Sequence, residues 1–161
     1  MTPDFPVFYG SFESPIGWIY ISAYKANITR ITLFKTKKHL EKPNALIEEA
    51  IKQLKQYFDG KRKEFDLPLE PVPVGTPFQQ LVWSALKEIP YGTTQSYEMI
   101  AKKINDPWVA LAVRDEVNRN RIAIVIPGHR VVGASGKLDQ FALYRDKKQW
   151  LLDHEKSVTE I

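Results

Sequence analysis

The sequence predicts an α/β protein of two domains. A small N-terminal domain, residues 1–74, is expected to hold an antiparallel sheet and one helix, and a mostly helical domain, residues 75–161, is expected to contain a helix-turn-helix. Three observations lead to this fold class. A hairpin pattern lies near the start, helical periodicity recurs after it, and four prolines separate the two halves at PLEPVPVGTP.

The first domain opens with two short segments rich in β-branched and aromatic residues, 18–22 (WIYIS) and 28–34 (ITRITLF). A small polar turn separates them, which is a hairpin signal. Residues 43–58 then place apolar side chains three and four positions apart, and Gly60 is positioned to end that helix.

A further short strand is expected at residues 65–67. The proline-rich segment after it is interpreted as an interdomain linker, because proline holds the backbone extended and offers no amide donor. The domain boundary therefore falls near Val74.

The second domain begins with a strong helix-start signal, since Thr76 can cap a helix and Pro77 can occupy its first position. The Tyr91-Gly92 pair is expected to end this helix. Ser96 can cap a second, short helix over residues 97–104.

A third helix follows from the cap-plus-proline pair Asp106-Pro107 and runs to about Asn118, after a turn at Asn105. Two short helices joined in this way fit either a helix-turn-helix or an ordinary helical hairpin. Residues 122–126 (IAIVI) look like a buried strand, and a last helix is expected over residues 146–155.

Composition narrows the function classes. The chain has 161 residues, 43% hydrophobic and 26% charged, enough for one or two small cores. Its net charge of +4 is shared equally by the two halves, so it permits nucleic-acid binding without requiring it. Cysteine is absent, which excludes disulfides, thiolate catalysis and sulfur-ligated zinc.

No cofactor or metal is expected, since none of His39, His129 and His154 has a partner at ligand spacing. The absence of a long apolar window and of a signal-like N-terminus predicts a cytoplasmic protein without membrane contact. The four tryptophans are interpreted as core residues, with Trp108 also placed to touch a partner.

One segment carries specific information: IPGHRVVGASGKL, residues 126–138, followed by KKQWLLDHE, residues 147–155. It resembles the active-site segment of the O6-alkylguanine-DNA alkyltransferases, which carry the pattern I-P-C-H-R-V-[IV]. The resemblance extends upstream through TPFQQLVWSALKEIPYGTTQSYEMIA and includes the N-terminal hairpin, so it covers nearly the whole chain.

The resemblance implies a helix-turn-helix repair protein that enters the minor groove, rotates a damaged guanine into a pocket and takes its O6-alkyl group onto a cysteine thiolate. Gly128 stands at the position of that cysteine, His129 matches the proton acceptor and Glu155 matches the carboxylate that orients the histidine. Glycine cannot form a thioether. Ser96 and Ser135 are poor substitutes, because an unactivated hydroxyl would have to reach the same carbon in line.

Further residues match the family's DNA and base contacts. The resemblance assigns this role to positions on the helix-turn-helix and beside the active-site turn: Tyr97, Leu111, Arg114, Asn120, Arg130 and Val131. Leu111 replaces the arginine that fills the vacated base stack, and a leucine can wedge between bases without donating hydrogen bonds.

Charged residues replace small ones farther along the same helix. Asp115 and Glu116 would oppose phosphate binding, and they are interpreted as part of a solvated helix face. Arg119 and Arg121 are placed either to reach phosphate or to serve as surface charges.

The expected substrate loop also departs from the family, since residues 139–144 read DQFALY where the family has a glycine-rich turn. The changed positions suggest a protein-binding patch with an apolar centre and a charged rim. Its centre is Leu111, Phe141, Leu143 and Tyr144, and its rim is Arg114, Asp115, Glu116, Asp139 and Arg145. The alternative is that Leu111 and Phe141 fill an abandoned cavity as core residues.

The chain is expected to be a monomer, and the missing nucleophile argues against an enzyme. Three functions remain open.

 The first is a DNA-binding sensor of alkylated guanine, with double-stranded DNA as its partner. The second is a natural or engineered protein-binding module that uses the rewritten surface. The third is a functional methyltransferase inactivated by the single change at Gly128.

Overall fold

The computed structural model describes residues 6–34, 41–133 and 142–159. Two compact units divide the chain, Met1–Val74 and Gly75–Ile161. The first contains a three-stranded antiparallel sheet and one helix, and the second is mostly helical. The predicted α/β fold class is therefore confirmed.

The sheet of the first unit is formed by β1 (Val7–Ser14), β2 (Gly17–Tyr24) and β3 (Asn27–Thr32), which pair in chain order. Alternate side chains of β2, such as Ile19 and Ile21, are fully buried, so one face of the sheet forms the core. Strand β1 was not predicted from the sequence. Its inward positions include a glycine, which interrupts the alternation of apolar and polar residues.

Helix α1 (Ala45–Phe58) covers the buried face of this sheet. The side chain of Asn44 caps it by accepting a hydrogen bond from the Ile47 amide at 2.9 Å. Gly60 adopts a φ of 74° just past the helix end, the left-handed conformation that glycine tolerates. The predicted helix and its stop are thus both present.

The proline-rich segment is not a free linker, and residues 65–67 do not form a strand. Its first half runs along β3: the Ile28 amide donates to the Pro68 carbonyl at 2.8 Å, and the Glu70 amide donates to the Ile28 carbonyl at 2.9 Å. The Val72 amide also donates to β3. The prolines at 71 and 73 alternate with these donors, so the missing amides fall where no ladder bond is needed.

The second unit contains α2 (Pro77–Lys87), α3 (Tyr97–Lys103), α4 (Ala110–Asn118) and α5 (Ala142–Thr159). Two short strands, β4 (Gln95–Ser96) and β5 (Val131–Val132), pair in parallel and were not predicted. Helix α2 opens with the expected cap, which is a full capping box of Thr76 and Gln79. Helix α5 is longer than expected at both ends.

The apolar run at residues 122–126 is a buried turn rather than a strand. The Ile126 amide donates to the Ile122 carbonyl at 3.0 Å, and Ile124 has a φ of 71°. This left-handed conformation is strained for a β-branched residue. Burial of Ile122, Ile124 and Ile126 explains the apolar sequence, because a buried turn and a buried strand need the same residue types.

Within the described residues, no helix combines the length and apolar character needed to cross a membrane.

The approach of β1 to α1 generates a stability prediction. A Cβ at Gly10 would overlap the side chain of Ile47, which is fully buried and has little room to move. We expect Gly10→Ala to lower the free energy of unfolding by about 1–3 kcal/mol, as overpacked cores do. Urea denaturation measures this, with the exposed Glu13→Ala on the same strand as control; equal midpoints for the two variants would contradict the close approach.

Candidate functional site

The site predicted from the sequence forms around a 3₁₀ turn, Gly128–Arg130, that links the buried turn to β5. All three residues of this turn are buried. Helix α5 packs against it and carries Glu155, whose side chain is also buried. The structure therefore brings Gly128, His129 and Glu155 to one place, although they come from distant parts of the sequence.

Glu155 is the centre of a buried hydrogen-bond network. Its Oε2 lies 2.6 Å from His129 Nε2, and its Oε1 accepts from Arg130 Nε at 2.8 Å. Arg130 Nη2 donates a further bond to Oε2 at 3.1 Å, and the Gly92 amide donates to Oε1 at 3.1 Å. The buried carboxylate thus forms these four hydrogen bonds with three residues, which offsets the cost of removing it from water.

The network fixes the ionisation of both partners. Burial alone would raise the pKa of Glu155, but hydrogen bonds from His129 and Arg130 outweigh it and hold that pKa well below its usual range. Burial lowers the pKa of His129, and the charges of Arg130 and Lys148 lower it further, against the opposing effect of Glu155. At neutral pH the pair is a carboxylate and a neutral imidazole.

This charge state determines the tautomer of His129. Because Nε2 faces a carboxylate, it carries the proton and donates it in a hydrogen bond, which leaves Nδ1 as a proton acceptor. Nδ1 is buried and has no hydrogen-bond partner among the described residues. The imidazole is therefore oriented and neutral, as a general base must be.

Gly128 supplies nothing for that base to activate. Its φ does not lie in the left-handed region, so the backbone does not require glycine here. A Cβ would lie 3.2 Å from Asn120 Nδ2 and 3.5 Å from the Val117 carbonyl, a tight position that needs a shift of a few tenths of an ångström. The backbone would accept a small side chain at the position where the resemblance places cysteine.

Asn120 shapes the approach to this turn. Its Nδ2 donates to the Ile126 carbonyl at 2.6 Å, and its Oδ1 accepts from the Ile122 amide at 3.1 Å. These bonds close the buried turn that delivers Gly128. Asn120 therefore braces this turn, and a direct contact with DNA stays a prediction.

Several participants had not been singled out from the sequence. Tyr91 lies under the Arg130 guanidinium, with 5.4 Å from Cζ to the ring centroid, and the Ile89 carbonyl accepts from Arg130 Nη1 at 2.8 Å. Lys148 is 1% exposed on the α5 face that also carries Glu155, one heptad earlier. Lys148 could have been identified from the sequence, because it stands two helical turns before Glu155 on the same predicted helix. No sequence pattern indicates the backbone groups that join the network.

Helices α3 and α4 form the helix-turn-helix. Ser96 caps α3 by accepting from the Met99 amide at 3.1 Å, Asn105 turns the chain with a φ of 64°, and Asp106 Oδ1 accepts from the Trp108 amide. A 3₁₀ turn, Pro107–Val109, leads directly into α4. The start signals in the sequence are realised as predicted.

The predicted DNA contacts are divided between surface and interior. Leu111 is 68% exposed and Arg114 is half-buried on α4, while Tyr97 and Val131 are buried. Arg130 differs most from expectation, because its guanidinium is buried and bonded to Glu155 and Ile89 rather than presented to DNA. Its part in the fold is to neutralise Glu155.

The two carboxylates of α4 do not share one environment. Asp115 is exposed, but Glu116 is buried, accepts from Gln79 Nε2 at 2.8 Å and pairs with Arg119 at 3.6 Å. The interpretation of Glu116 as part of a solvated face is therefore wrong. The charge that opposes phosphate binding on this helix is half of what the sequence suggested.

The proposed protein-binding patch is only partly described. Leu111 and Asp115 are exposed, which rules out Leu111 as a core filler. Asp139, Phe141 and the side chains of Leu143 and Tyr144 lie outside the described residues, as do Ser135 and His39.

The tryptophans correct the expectation that all four pack cores. Trp83 is buried, with the Arg121 guanidinium 5.0 Å above its ring, so Arg121 is not a simple surface charge. Trp150 is half-buried and stacks on His154. Trp18 is 50% exposed and Trp108 is 92% exposed.

Two family models match this chain. The model described as 6-O-methylguanine DNA methyltransferase, ribonuclease-like domain, matches residues 7–71. The model described as 6-O-methylguanine DNA methyltransferase, DNA binding domain, matches residues 77–157. Together they span most of the chain.

Similar proteins are found among characterised sequences and solved structures. A methylated-DNA-protein-cysteine methyltransferase of Methanosarcina acetivorans is 45% identical and covers 94% of this chain and 99% of its own. The constitutive enzyme of that name from Bacillus subtilis is 38% identical, covering 92% and 95%. The Mycobacterium tuberculosis protein OGT, solved in complex with DNA, is 40% identical with a TM-score of 0.84 and covers 94% of both chains.

The Glu155 network generates a stability prediction. Glu155→Gln would leave the buried Arg130 guanidinium without its counter-ion, so we expect a loss of about 3–5 kcal/mol in the free energy of unfolding. Chemical denaturation at pH 7 measures it. Asp153→Asn, an exposed position on the same helix, is the control, and a loss no larger than the control's would contradict the assigned role.

The same network predicts acid sensitivity. Below about pH 6.5 an unfolded chain protonates its histidine while folded His129 stays neutral, so stability falls as pH falls. Below pH 4.5, the ordinary glutamate value, Glu155 adds a second loss because its pKa is lowered in the folded state. Thermal unfolding of the chain and of His129→Gln across pH 4–8 tests this. A melting temperature of the unmodified chain that stays constant from pH 7 to 5 would contradict it.

Proposed function

Because the chain belongs to the 6-O-methylguanine DNA methyltransferase family, we propose that it binds duplex DNA containing an O6-alkylated guanine and leaves the alkyl group in place. One observation carries the proposal: the base, its orienting carboxylate and the buried arginine are all in place around a residue that has no side chain. The chain has no cysteine elsewhere to replace it.

Alkyl transfer in this family needs a thiolate, because the acceptor must displace guanine from the alkyl carbon. In this chain His129 Nδ1 can accept a proton, but no thiol stands beside it to supply one. Histidine and carboxylate without a nucleophile give no covalent step. What is left is the recognition step, in which DNA is bound and the damaged nucleotide is turned out of the stack.

The surface of the helix-turn-helix supports DNA binding. Leu111 projects from α4 at the position where the resemblance puts the residue that fills the vacated base stack, and apolar side chains are used in this way by minor-groove proteins. Glu116 is turned inward, which removes one of two carboxylates from the surface that would meet phosphates. Tyr97, at the start of α3, is proposed to help turn the damaged nucleotide out of the base stack.

A protein-binding function is the second candidate, and the exposure of Leu111 favours it equally on geometry alone. It differs from the first in its partner. A protein-binding chain would show no salt-dependent affinity for duplex DNA, whereas a lesion sensor must.

The first test is a fluorescence-anisotropy titration of one duplex with and without a single O6-methylguanine, at low and moderate salt. We expect tighter binding to the lesion and an affinity that falls with salt for both duplexes. Leu111→Asp is expected to weaken binding at least tenfold without altering the melting temperature. Equal affinity for the two duplexes would refute the sensor, and no binding at low salt would favour the protein-binding alternative.

A second test separates the sensor from an enzyme inactivated at one position. We expect Gly128→Cys to fold, since its Cβ has nearly enough room, and to leave benzylguanine unreacted because the family's glycine-rich loop is absent at residues 139–144. Intact-protein mass after incubation measures transfer. A benzyl adduct on the variant would show instead that Gly128 is the sole defect in a competent site.

A further inference from the structure

Trp108 is the most exposed large apolar side chain in the described part of the protein, at 92%. Leaving an indole in water forfeits the free energy that its burial would give, since tryptophan has a large apolar surface. Trp108 belongs neither to the Glu155 hydrogen-bond network nor to the core. It lies on the 3₁₀ turn that opens α4, three residues before Leu111.

The backbone beneath this indole is held in place. Pro107 fixes its own φ, Asp106 Oδ1 accepts from the Trp108 amide at 3.3 Å, and the Val109 amide donates to the Asp106 carbonyl at 3.3 Å. The turn also packs against α3. The side chain is therefore presented from a fixed position, which lowers the entropy cost of using it to bind.

Trp108 and Leu111 are both exposed and stand three residues apart in the sequence. Trp108 lies on the 3₁₀ turn Pro107–Val109 and Leu111 in the first turn of α4 directly after it, so both belong to the exposed start of this helix. Ala112 beside them is small and exposed. Lys102, on the helix α3 that packs against this turn, is an exposed cation.

We propose that Trp108 and Leu111 form a paired apolar wedge that selects duplex DNA by how easily a base pair opens. The inference rests on the proposed function and names its ligand class: a duplex whose base stack is locally weakened by a lesion, a mismatch or a missing base. Neither side chain carries a charge, and leucine has no hydrogen-bond donor with which to read the orphaned base. Selection then follows the cost of unstacking, which is least at damaged and mispaired sites.

DNA is the occupant that the surroundings favour. The wedge lies within the segment that matches a DNA-binding domain, and it is continuous with the helix proposed to enter the groove. The exposed Lys102 on α3 suits phosphates. Asp115, one turn beyond Leu111, is the exposed carboxylate on this helix that opposes them.

The test compares four duplexes of one sequence by anisotropy at fixed salt: fully paired, with one mismatch, with one abasic site and with one O6-methylguanine. The full chain is expected to bind the abasic and mismatched duplexes at least as tightly as the methylated one, and the paired duplex most weakly. Trp108→Ala should lose about tenfold in affinity for the three weakened duplexes, a typical effect of removing one stacking aromatic. Trp108→Phe should retain most of it.

Trp18→Ala is the matched control, because Trp18 is also an exposed tryptophan but belongs to the first unit. It should bind all four duplexes as the unmodified chain does. A 2-aminopurine base beside the weakened pair gives a second measurement: its fluorescence should rise when the full chain binds and rise less with Trp108→Ala, since unstacking relieves its quenching.

The outcomes separate the two claims. If the unmodified chain binds none of the duplexes, both the proposed function and the wedge are refuted. If it binds and prefers the methylated duplex while Trp108→Ala gives the same four affinities, the proposed function stands and the wedge is overturned. A chain that binds the methylated duplex strongly and treats the mismatched and abasic duplexes as fully paired also overturns it.

Discussion

The second unit depends on compensation of one buried charge. The Glu155 carboxylate is removed from water near the C-terminal end of α5, and it stays charged because His129, Arg130 and the Gly92 amide all donate to it. These partners come from two separate parts of the chain. The same bonds that neutralise the carboxylate therefore join α5 to the turn after α2 and to the Gly128–Arg130 turn, and removing one partner would leave the others unsatisfied.

This dependence gives a physical reason for keeping the network in a chain that lacks the nucleophile. In a cysteine-bearing relative the histidine and glutamate would be retained for chemistry. Here Arg130 is bonded on both sides, to Glu155 and to the Ile89 carbonyl, so the network also stabilises the fold. The acceptor atom can be lost without loss of the scaffold, since Glu155 and its partners do not use a side chain at position 128.

Local signals made much of the fold predictable. Asn44, Thr76, Ser96 and Asp106 each cap the element expected from the sequence, because a capping side chain acts on amides only two or three residues away. Segments whose partners lie far away in the sequence were harder to predict. The proline segment along β3, the short β4–β5 pair and the buried turn before Gly128 depend on partners far away in sequence, and residues 122–126 have the same apolar composition in a turn as in a strand.

The candidate site, like the fold, was predicted only in part from the sequence. The resemblance named Gly128, His129 and Glu155, and the structure brings all three together. It could not show that Glu116 points inward to Gln79 while its neighbour Asp115 points outward, because adjacent helical residues differ by about 100° in direction. For Trp108 the sequence allowed both a core position and contact with a partner, and it could not decide between them, since an aromatic residue beside a proline has the same pattern in a core and on a surface.

The proposed function is binding of an O6-alkylated guanine without transfer of its alkyl group to the protein, so the fate of that group is the first quantity to measure. A complex of the chain with a duplex carrying labelled O6-methylguanine would be isolated after long incubation, and both components weighed by intact mass spectrometry. We expect a recovered complex in which the DNA keeps its methyl group and the protein mass is unchanged. A protein heavier by one methyl group, or a duplex restored to guanine, would contradict it.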